Sequence, residues 1–414
     1  MASKFQAPRG TFDVLPEAAR TRGRLEDAAA AIFSRAGYES IATPAFEDTA
    51  LFERGVGKST DIVRKEMFTF EDKGERSLTL RPEGTASICR AYLEHGMHKL
   101  AQPVKLSYLG PFFRHERPQA GRYRQFHQLG AECIGTDSPL ADAEVIMLLS
   151  DLLGELGVPG VELRLGSLGS FALRRVYLED LKAHLHAHEG ELSRDVRERI
   201  DINPLRAFDS DDEGTRGVMA SAPTIVGRLE GEDAEHFEEV RALLDAARVA
   251  YVVDPTLVRG LDYYTRTIFS FVCDRLGAQS EVGGGGRYDG LIEQLGGPAT
   301  PAVGFAAGIE RILLALDSEV PAAGRDAFVA IADPAQRARA MALAVELRHA
   351  GVSVELDLAG RNLKGQFKHA DRIGARHVLI LEADGSVQVR DMETGEQRAA
   401  DPGKLVEEMT GGRS

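Results

Sequence analysis

Apolar residues along the chain follow two spacings, one typical of helices and one typical of strands. Over Pro16–Ala36 they recur every three or four positions, which predicts a long amino-terminal helix. A second helix is predicted over Leu140–Leu156, because Ser138 and Pro139 supply a cap and a first-turn proline. Strands are predicted at Glu39–Phe46, Met67–Phe70, Leu78–Leu80, Leu106–Arg114, Tyr123–Ile134, Tyr251–Val253 and Thr265–Cys273. Strands this closely spaced favour an antiparallel sheet.

These elements divide the chain into regions that differ in their order of helices and strands. Strands and helices mix in residues 1–170 and again in 251–320, whereas 171–250 is helical and charged, so we expect a helical insertion within one α+β core. After a linker at Ser318–Arg325, residues 326–414 alternate strands with helices, which predicts a small α/β domain. Its predicted elements are strands at Ala327–Ile331, Ser353–Leu356, Val378–Leu381 and Val387–Val389 and helices near 335–350 and 362–373.

The composition narrows the class of protein. Across 414 residues, 43% apolar and 28% charged residues are typical of a folded chain of several domains, and the net charge of -14 argues against general adhesion to polyanions. Met1–Arg9 lacks an apolar leader segment, and no run approaches the roughly 20 apolar residues of a membrane span. Cys89, Cys133 and Cys273 lie far apart, which disfavours a disulfide framework or a zinc site and indicates a reducing, cytoplasmic compartment.

The densest group of cations surrounds a predicted turn. Arg114, Arg117, Arg122 and Arg124 flank Pro118–Gly121. A hairpin of this kind would hold guanidinium groups toward an anion, because guanidinium binds oxyanions in a fixed fork. An exposed, salt-bridged hairpin is the alternative, and the hairpin by itself leaves that alternative open.

Strand alternation sorts the second arm of this hairpin into two faces. Arg124, Phe126, Gln128, Gly130 and Glu132 share one face, which we expect to form the floor of a pocket. Gly130 would let a ligand approach the backbone closely, and Gln128 and Glu132 would form hydrogen bonds to that ligand.

Three later segments also carry candidate chemistry. In Leu257–Tyr264, Arg259 would neutralise charge developing on a phosphorus centre, with an ion pair to Asp262 that caps a loop as the alternative. The glycines of Gly283–Gly286 are expected to form a flexible linker or to contact a flat ligand, since four in succession do not favour a strand. Arg311 is predicted in the first turn of an apolar helix, where the helix dipole favours phosphate.

Two further clusters are interpreted as structural. His184, His186 and His188 alternate within a predicted helix, where only the first and the last share a face, which argues against a metal site. The acidic segment Asp209–Glu213 lacks the spacing of a calcium loop and is interpreted as solvated. No metal site is therefore predicted from the histidine or cysteine clusters.

In their order along the chain, these motifs resemble the histidyl-tRNA synthetases, a family of class II aminoacyl-tRNA synthetases. The long helix with Pro44 resembles the first motif of the class, the Phe113–Glu132 hairpin the second, and Gly308–Arg311 the third. The histidine-specific signatures of the family are matched at Arg81–Thr85, Leu257–Tyr264 and Gly284–Gly290. The resemblance implies an α+β fold, with an antiparallel-sheet catalytic domain flanked by helices, a helical insertion and a small C-terminal α/β anticodon-binding domain.

By this resemblance, the chain would be a ligase that joins L-histidine to its cognate tRNA through histidyl-adenylate, releasing AMP and pyrophosphate. It would use ATP with Mg²⁺ and no zinc. The implied catalytic residues are Arg114, Gln128 and Arg259, and the implied ATP-binding residues are Arg114, Arg122, Arg259 and Arg311. The implied histidine-binding residues are Glu83, Thr85, Gln128, Gly130, Glu132, Tyr263 and Tyr264.

The resemblance also implies partners. Arg117 and Gln119 would contact the extra 5′ guanine at the acceptor end of the histidine tRNA, and the insertion would cover the acceptor stem. The first motif implies a homodimer, with no membrane partner. The residues expected to face the anticodon loop are Asn362, Lys364, Gln366 and Lys368.

Two other classes of protein compete with this reading. A catalytically dead paralogue, which uses the histidine pocket as a regulatory subunit of histidine biosynthesis, usually lacks the Arg259 signature and the C-terminal domain, whereas this chain has both. A general RNA-binding module is disfavoured by the acidic net charge and by the lack of an aromatic stacking platform.

Overall fold

A computed structural model describes residues 5–57, 60–316, 320 and 324–410. Two compact units divide the chain, Met1–Val320 and Pro321–Ser414. Most of the predicted linker at Ser318–Arg325 lies outside the described residues. No helix in the described ranges is both long enough and apolar enough to cross a membrane.

The strands and helices of the first unit are interspersed along the chain. Its strands are β1 (Glu39–Ser40), β2 (Phe46–Asp48), β3 (Phe68–Glu71), β4 (Ser77–Leu80), β5 (Val104–Phe113), β6 (Gln125–Ile134), β7 (Val161–Ser167), β8 (Val252–Val253), β9 (Thr265–Cys273), β10 (Glu281–Arg287) and β11 (Ala302–Gly308). Its helices are α1 (Pro16–Arg35), α2 (Thr49–Gly55), α3 (Thr85–Glu94), α4 (Pro139–Leu156), α5 (Phe171–Ala187), α6 (Arg194–Arg197), α7 (Glu213–Met219), α8 (Gly231–Ala246), α9 (Leu291–Gln294) and α10 (Ile309–Leu316).

A large, mostly antiparallel sheet forms the centre of this unit, as the strand spacing predicted. Its order over the described residues is β1-β5-β6-β11-β10-β9-β7-β8, and only the short edge strands β1 and β8 pair in parallel with their neighbours. The predicted strand Glu39–Phe46 is instead split, because its end at β2 joins β4 and β3 in a separate small sheet. The β5–β6 pair is the predicted arginine hairpin.

Helices cover the large sheet on one face. Leu25 and Phe33 of α1 and Leu149 of α4 are buried in one core with Phe305 of β11. Both helices were predicted from their apolar spacing, and Ser138 caps α4 by accepting a hydrogen bond from the Leu140 N–H at 3.3 Å. The opposite face carries a second core, in which Tyr177 of α5 packs with the aromatic residues near the sheet. The helical segment 171–250 therefore shares its core with the sheet.

The four successive glycines lie in the middle of the sheet, so the alternative of a flexible linker is wrong, whereas close contact with a flat ligand stays a prediction. They belong to β10, which pairs with β9 on one side and with β11 on the other. Hydrogen bonds along both edges hold the strand despite its weak intrinsic preference. Glycine is needed because neighbours are close: a Cβ on Gly284 would lie 2.8 Å from Nη1 of Arg259.

The second unit has the predicted alternation of strands and helices. Its elements are β12 (Ala327–Ile331), α11 (Arg337–His349), β13 (Val354–Leu356), α12 (Leu363–Arg372), β14 (His377–Leu381), β15 (Val387–Asp391), β16 (Gln397–Ala400) and α13 (Leu405–Thr410). The strands form one sheet in the order β13-β12-β14-β15-β16, in which the first three are parallel. Sequence reasoning missed β16, an exposed edge strand with little apolar pattern.

Candidate active site

A cavity of about 690 Å³ opens on the first unit beside the central strands of the large sheet. The sheet, the arginine hairpin, the loop before β9 and the first turns of α3 and α10 supply its walls. Among its lining residues are Glu83, Thr85, Tyr108, Arg114, Glu116, Arg122, Gln128, Arg259, Tyr263, Tyr264, Glu281, Tyr288 and Arg311.

The inner end of the cavity begins at the first turn of α3. The Glu83 carboxylate accepts hydrogen bonds from the backbone N–H groups of Thr85 at 2.8 Å and Ala86 at 2.9 Å. Burial raises the pKa of Glu83 above its ordinary value, while these N–H groups and the charge of Arg114 oppose that rise. Two donors leave further lone pairs of the carboxylate able to accept from a ligand.

Glu132 lies one layer behind the cavity wall. Its carboxylate accepts hydrogen bonds from the Thr85 hydroxyl at 2.8 Å and the Tyr288 hydroxyl at 2.6 Å, and its side chain is fully buried. Burial raises its pKa from 4.5 to about 8, although both hydroxyl groups favour the charged form. Glu132 was expected to contact a ligand from the pocket floor. That expectation is wrong, because Thr85 and Tyr288 line the cavity in front of it.

Gly130 does not leave room for a ligand as expected. It is directly opposite Tyr108 in the β5–β6 pairing, and a Cβ on Gly130 would overlap the Tyr108 ring. Tyr108 therefore fills the space above the glycine and lines the cavity itself. Strand register, which the sequence did not fix, explains the difference.

The tyrosines of the Leu257–Tyr264 signature complete the inner end. Tyr263 and Tyr264 are both buried, with ring centroids 4.8 Å apart, and the Tyr263 ring also lies 5.7 Å from that of Tyr288. The Tyr263 hydroxyl donates to Glu83 at 3.5 Å. Burial raises the pKa of each of these tyrosines, so they stay protonated and act as hydrogen-bond donors.

The outer end of the cavity is lined by arginines of the hairpin. Arg114 donates from Nε to the Pro82 carbonyl at 2.9 Å, and its guanidinium carbon lies 5.4 Å from the Phe126 ring centroid. Arg122 Nε lies 3.1 Å from a carboxylate oxygen of Glu116. These contacts hold both guanidinium groups at the cavity while leaving donors for a ligand.

Arg259 approaches the same cavity from the loop before β9. Its Nη1 donates to the Glu281 carboxylate at 2.8 Å, and its guanidinium carbon lies 5.8 Å from the Tyr264 ring centroid. Burial opposes its charge, but Glu281 and Tyr264 outweigh burial and raise the pKa of Arg259. Burial likewise opposes ionisation of Glu281, and Arg259 outweighs it and lowers that pKa. The structure thus gives Arg259 a partly exposed carboxylate partner at the start of β10.

Arg311 backs the hairpin turn from the predicted first turn of α10. Its Nε donates to the Gly121 carbonyl at 3.0 Å and its Nη1 to the Glu281 carbonyl at 2.8 Å. Burial lowers the pKa of Arg311, and the neighbouring Arg122 and Arg114 lower it further. An anion that approached these arginines would relieve the repulsion between them.

The structure brings most predicted site residues together and separates a few. The predicted residues that line one cavity are Glu83, Thr85, Arg114, Arg122, Gln128, Arg259, Tyr263, Tyr264 and Arg311. Gly130 and Glu132 lie behind its wall, and Arg117 and Gln119 are exposed on the hairpin loop. The turn of that loop is tight, because Gln119 and Arg122 exchange backbone hydrogen bonds around Gly121.

Sequence reasoning missed several residues of the cavity wall, among them Tyr108, Glu116, Glu281 and Tyr288. Tyr288 lies within the Gly284–Gly290 signature, so a role could have been inferred from that match. Glu116 sits among the four hairpin arginines as their nearest acid, which was a usable signal. Nothing in the sequence pattern pointed to Tyr108 or Glu281.

Several buried polar atoms at the cavity lack a partner within the described residues. They are the Oε1 atom of Gln128, the hydroxyl of Tyr108 and the Nε atom of Arg259. Buried polar groups are usually satisfied, and those left over at a cavity wall indicate a polar ligand. The cavity therefore offers acceptors and phenols at its inner end and guanidinium groups at its outer end.

Comparisons with known proteins identify the family of this chain. The family model for histidyl-tRNA synthetase matches residues 10–312. The chain belongs to the histidyl-tRNA synthetase family. An anticodon binding domain model matches residues 326–411.

Relatives of this synthetase family match over nearly the full length. A histidine–tRNA ligase of Rubrobacter xylanophilus is 48% identical over 412 residues, which cover 96% of this chain and 97% of that protein. One of Halothermothrix orenii is 48% identical over 413 residues, covering 98% of each chain. The structure of apo S. aureus histidyl-tRNA synthetase is 36% identical with a TM-score of 0.83, and the match covers 98% of this chain and all of that one. The class II α+β fold expected from the motifs is confirmed.

A second solved structure bears on the competing reading. It is described as an ATP phosphoribosyltransferase regulatory subunit/histidyl-tRNA synthetase from Bacillus halodurans. It is 26% identical with a TM-score of 0.66, over 89% of this chain and 97% of that one. The fold is thus shared with a protein whose description includes a regulatory role.

In the second unit, the structure corrects one expected anticodon contact, that of Gln366. Gln366 is buried, and its side-chain amide bonds the backbone of Ile331 in both directions and the Arg361 carbonyl. Asn362 caps α12 by accepting from the Gly365 N–H at 2.9 Å. The Gln366 side chain is therefore fully used within the fold, whereas Asn362, Lys364 and Lys368 are exposed.

Proposed function

We propose that this chain catalyses the ATP-dependent ligation of L-histidine to its cognate tRNA, through a histidyl-adenylate and with release of pyrophosphate and AMP. One observation carries the proposal: Arg114 and Arg259, from separate parts of the chain, line one cavity whose inner end holds Glu83 and the tyrosines. Cations gathered at one end suit a triphosphate, and carboxylate and phenol groups at the other suit an amino acid with a polar ring.

Adenylate formation needs little proton transfer. A carboxylate oxygen of histidine attacks the α-phosphorus of ATP, a new phosphorus–oxygen bond forms, and the bond to pyrophosphate breaks. Negative charge gathers on the α-phosphate oxygens, where the Arg114 and Arg259 guanidinium groups would stabilise it. Arg259 would then exchange its partner Glu281 for phosphate, because both are oxyanions that bind the same fork.

The remaining cations would position ATP. Arg311 and Arg122 would bind the γ-phosphate, since both line the outer end of the cavity next to Glu116. Arg311 is fixed by two backbone carbonyls, so it would orient the phosphate, whereas Arg122 is more exposed and would contribute less.

The inner end would select histidine. The carboxylate of Glu83, the hydroxyl of Thr85 and Gln128 would bind the ammonium and carboxylate groups, and the partnerless Oε1 of Gln128 suits an ammonium donor. Tyr264 would bind an imidazole nitrogen, and Glu132 would act from behind the wall by holding the Thr85 and Tyr288 hydroxyls that face the ligand. An apolar rival would leave these buried polar groups without partners, a penalty of roughly 10⁴-fold or more.

Magnesium would enter with ATP. In the described ranges, no three His, Cys, Asp or Glu side chains are grouped to hold a metal ion. Mg²⁺ at a phosphate site needs only one or two carboxylates, because phosphate oxygens and water supply the remaining ligands. Glu116 and Glu281 line the cavity and would fit that role, and the ion would offset phosphate charge.

The tRNA would contact three regions. Arg117 and Gln119, exposed on the hairpin loop, would read the acceptor end, and the helices of 171–250 would cover its stem. The anticodon loop would meet the second unit, where Asn362, Lys364 and Lys368 remain the candidates. Contacts to phosphate would make the binding sensitive to salt.

We also propose a homodimer that works in the cytoplasm. Phe46 of β2 and Phe70 of β3 are 49% and 42% exposed on the small sheet, with ring centroids 6.1 Å apart. Exposed aromatic pairs of this kind favour a protein partner.

The regulatory-subunit reading remains the second candidate, favoured by the Bacillus halodurans structure. The presence of both Arg259 and the C-terminal unit in this chain argues against it.

The proposal is tested by exchange of labelled pyrophosphate into ATP, measured with each of the twenty amino acids in turn. Exchange that depends on histidine, with no other amino acid substituting, is the expected result. Binding of histidine without any pyrophosphate exchange would favour the regulatory role. The absence of exchange with every amino acid would contradict the proposed enzymatic activity.

A further inference from the structure

One partly buried arginine outside the recognised motifs holds the loop at the histidine end of the cavity. Arg174 lies in the first turns of α5, and its Nη1 donates to the Asp262 carbonyl at 3.2 Å and to the Tyr264 carbonyl at 3.0 Å. These two carbonyls flank Tyr263. A single guanidinium group therefore fixes the backbone on both sides of the tyrosine pair.

The environment of Arg174 is costly for a charge. Burial lowers its pKa, and the carboxylate of Asp262 partly offsets that effect. Its Nε has no partner within the described residues, so much of its interaction is made through Nη1. An arginine held in such a place, bonded to loop carbonyls, indicates a positioning role for those carbonyls.

A second contact anchors the other side of the same loop. Asp233, in the first turn of α8, accepts from the Ser170 N–H at 3.0 Å and from Nε of Arg266 at 3.3 Å. Ser170 is the cap of α5, so Asp233 joins the start of the helix that carries Arg174 to the segment after Tyr264.

Arg266 itself has an unusual backbone. Its φ is +46°, a conformation that side chains other than glycine rarely adopt, and the β9–β10 register shifts at this point. Its N–H donates to the Gly169 carbonyl at 2.8 Å, and its carbonyl accepts from the Leu168 N–H at 2.7 Å. The strained residue is thus held from the segment that precedes α5, immediately after the tyrosine pair.

We propose that Arg174 is a positioning residue for histidine binding, which holds the Asp262–Tyr264 backbone so that the Tyr263 and Tyr264 hydroxyls meet the ligand. The proposal rests on the function proposed above. It assigns the start of the helical segment 171–250 to the amino acid site as well as to the fold. Because Arg174 bonds the Asp262 and Tyr264 carbonyls beside the tyrosines, its loss would weaken histidine binding while changing ATP binding much less.

The test compares Arg174→Met with Arg175→Met, a matched control on the exposed side of the same helix. In pyrophosphate exchange, Arg174→Met should raise the KM for histidine about tenfold or more, with the KM for ATP changed less than about twofold. Arg174→Lys should recover part of the lost affinity, because one ammonium group also bonds two carbonyls. Arg175→Met should match the wild type.

Other outcomes would overturn the proposal. They are an unchanged KM for histidine in Arg174→Met, an equal rise in both KM values, or a Lys variant no better than Met. If Arg174→Met does not fold, Asp233→Asn takes its place and should raise the KM for histidine alone, by a smaller factor. Wild-type protein without histidine-dependent exchange would defeat the proposed function, whereas normal wild-type exchange with normal variants defeats only this role for Arg174.

Discussion

The two ends of the cavity are built in different ways. At the inner end, Glu83, Glu132 and Tyr288 are buried and already bonded to neighbours inside the protein. At the outer end, Arg122 and Arg259 are paired with glutamates that a phosphate would have to displace or share. The inner end is thus assembled before its ligand binds. The outer end consists of ion pairs that a phosphate ligand must rearrange.

Because of this difference, we expect the inner end to determine how well histidine binds and the outer end to determine how fast it is adenylated. A preformed hydrogen-bonded network selects a ligand by leaving groups unpaired when the wrong one enters, which affects binding. Arginines freed for phosphate act where charge develops, which affects the chemical step. Changes at the inner end should therefore alter the KM for histidine, and changes at the outer end should alter the adenylation rate or the KM for ATP.

The largest expected effect is at Arg259. Arg259→Met should lower the rate of histidyl-adenylate formation by about 10²-fold or more, because a buried cation would be lost from the developing phosphate charge. Single-turnover kinetics with saturating histidine and ATP measure that rate directly. Arg194→Met, at a side chain that is 87% exposed, is the control. A normal rate in the Arg259 variant would remove Arg259 from the mechanism.

A smaller effect is expected at Tyr264. Tyr264→Phe keeps the buried ring and removes the hydroxyl, so the KM for histidine should rise about tenfold while the adenylation rate at saturation changes little. Steady-state exchange kinetics give both values. Tyr92→Phe is the matched control, because the Tyr92 hydroxyl bonds Gln102 away from the cavity. A selective loss of rate with an unchanged KM would contradict the division between the two ends.

Arg122 should matter less than Arg259. Its side chain is 42% exposed, so solvent screens its charge, and Arg122→Met should raise the KM for ATP only about three- to tenfold. The KM for histidine should stay the same, and Arg122→Lys should lie between the variant and the wild type. A rise in the KM for ATP as large as the roughly 10²-fold effect expected on the rate at Arg259 would show that this exposed cation contributes more than proposed.

The smallest effect concerns stability and pH. The pKa of Glu132 is raised from 4.5 to about 8 in the folded protein. The contribution of this shift to the free energy of unfolding is therefore fully present below about pH 4.5 and is lost as pH rises through 8. Gln at this position cannot ionise. The Tm of Glu132→Gln relative to the wild type should therefore be higher at pH 9 than at pH 6, by a few degrees, roughly 2–5 °C. If the Tm difference between Glu132→Gln and the wild type did not change with pH, the raised pKa of Glu132 would be contradicted, and its carboxylate would have to be better solvated.

Local patterns predicted the elements that depend on local signals. Apolar spacing located α1, apolar spacing and the Ser138 cap located α4, and β9 has the predicted bounds Thr265–Cys273. The arginine hairpin was likewise predicted, since its turn residues and alternating strands are read over a short span. These features are decided within one element, so sequence alone sufficed.

Features decided between elements could not be read in the same way. β10 is a strand because β9 and β11 hydrogen-bond to both of its edges, which overrides the weak preference of its glycines. Tyr108 covers Gly130, and Glu132 lies behind Tyr288, only because of the register of neighbouring strands. The residue types that form the site were therefore predicted better than which of them face the cavity and which lie behind its wall.

The separation of the two ends is tested most directly by calorimetric titration of histidine, without ATP, into the wild type and Arg259→Met. The account predicts that histidine binds both proteins in the absence of nucleotide, with Kd values within about threefold of each other. Histidine that binds only when ATP is present, or that fails to bind the Arg259 variant, would contradict a preformed recognition site that is independent of the catalytic cation.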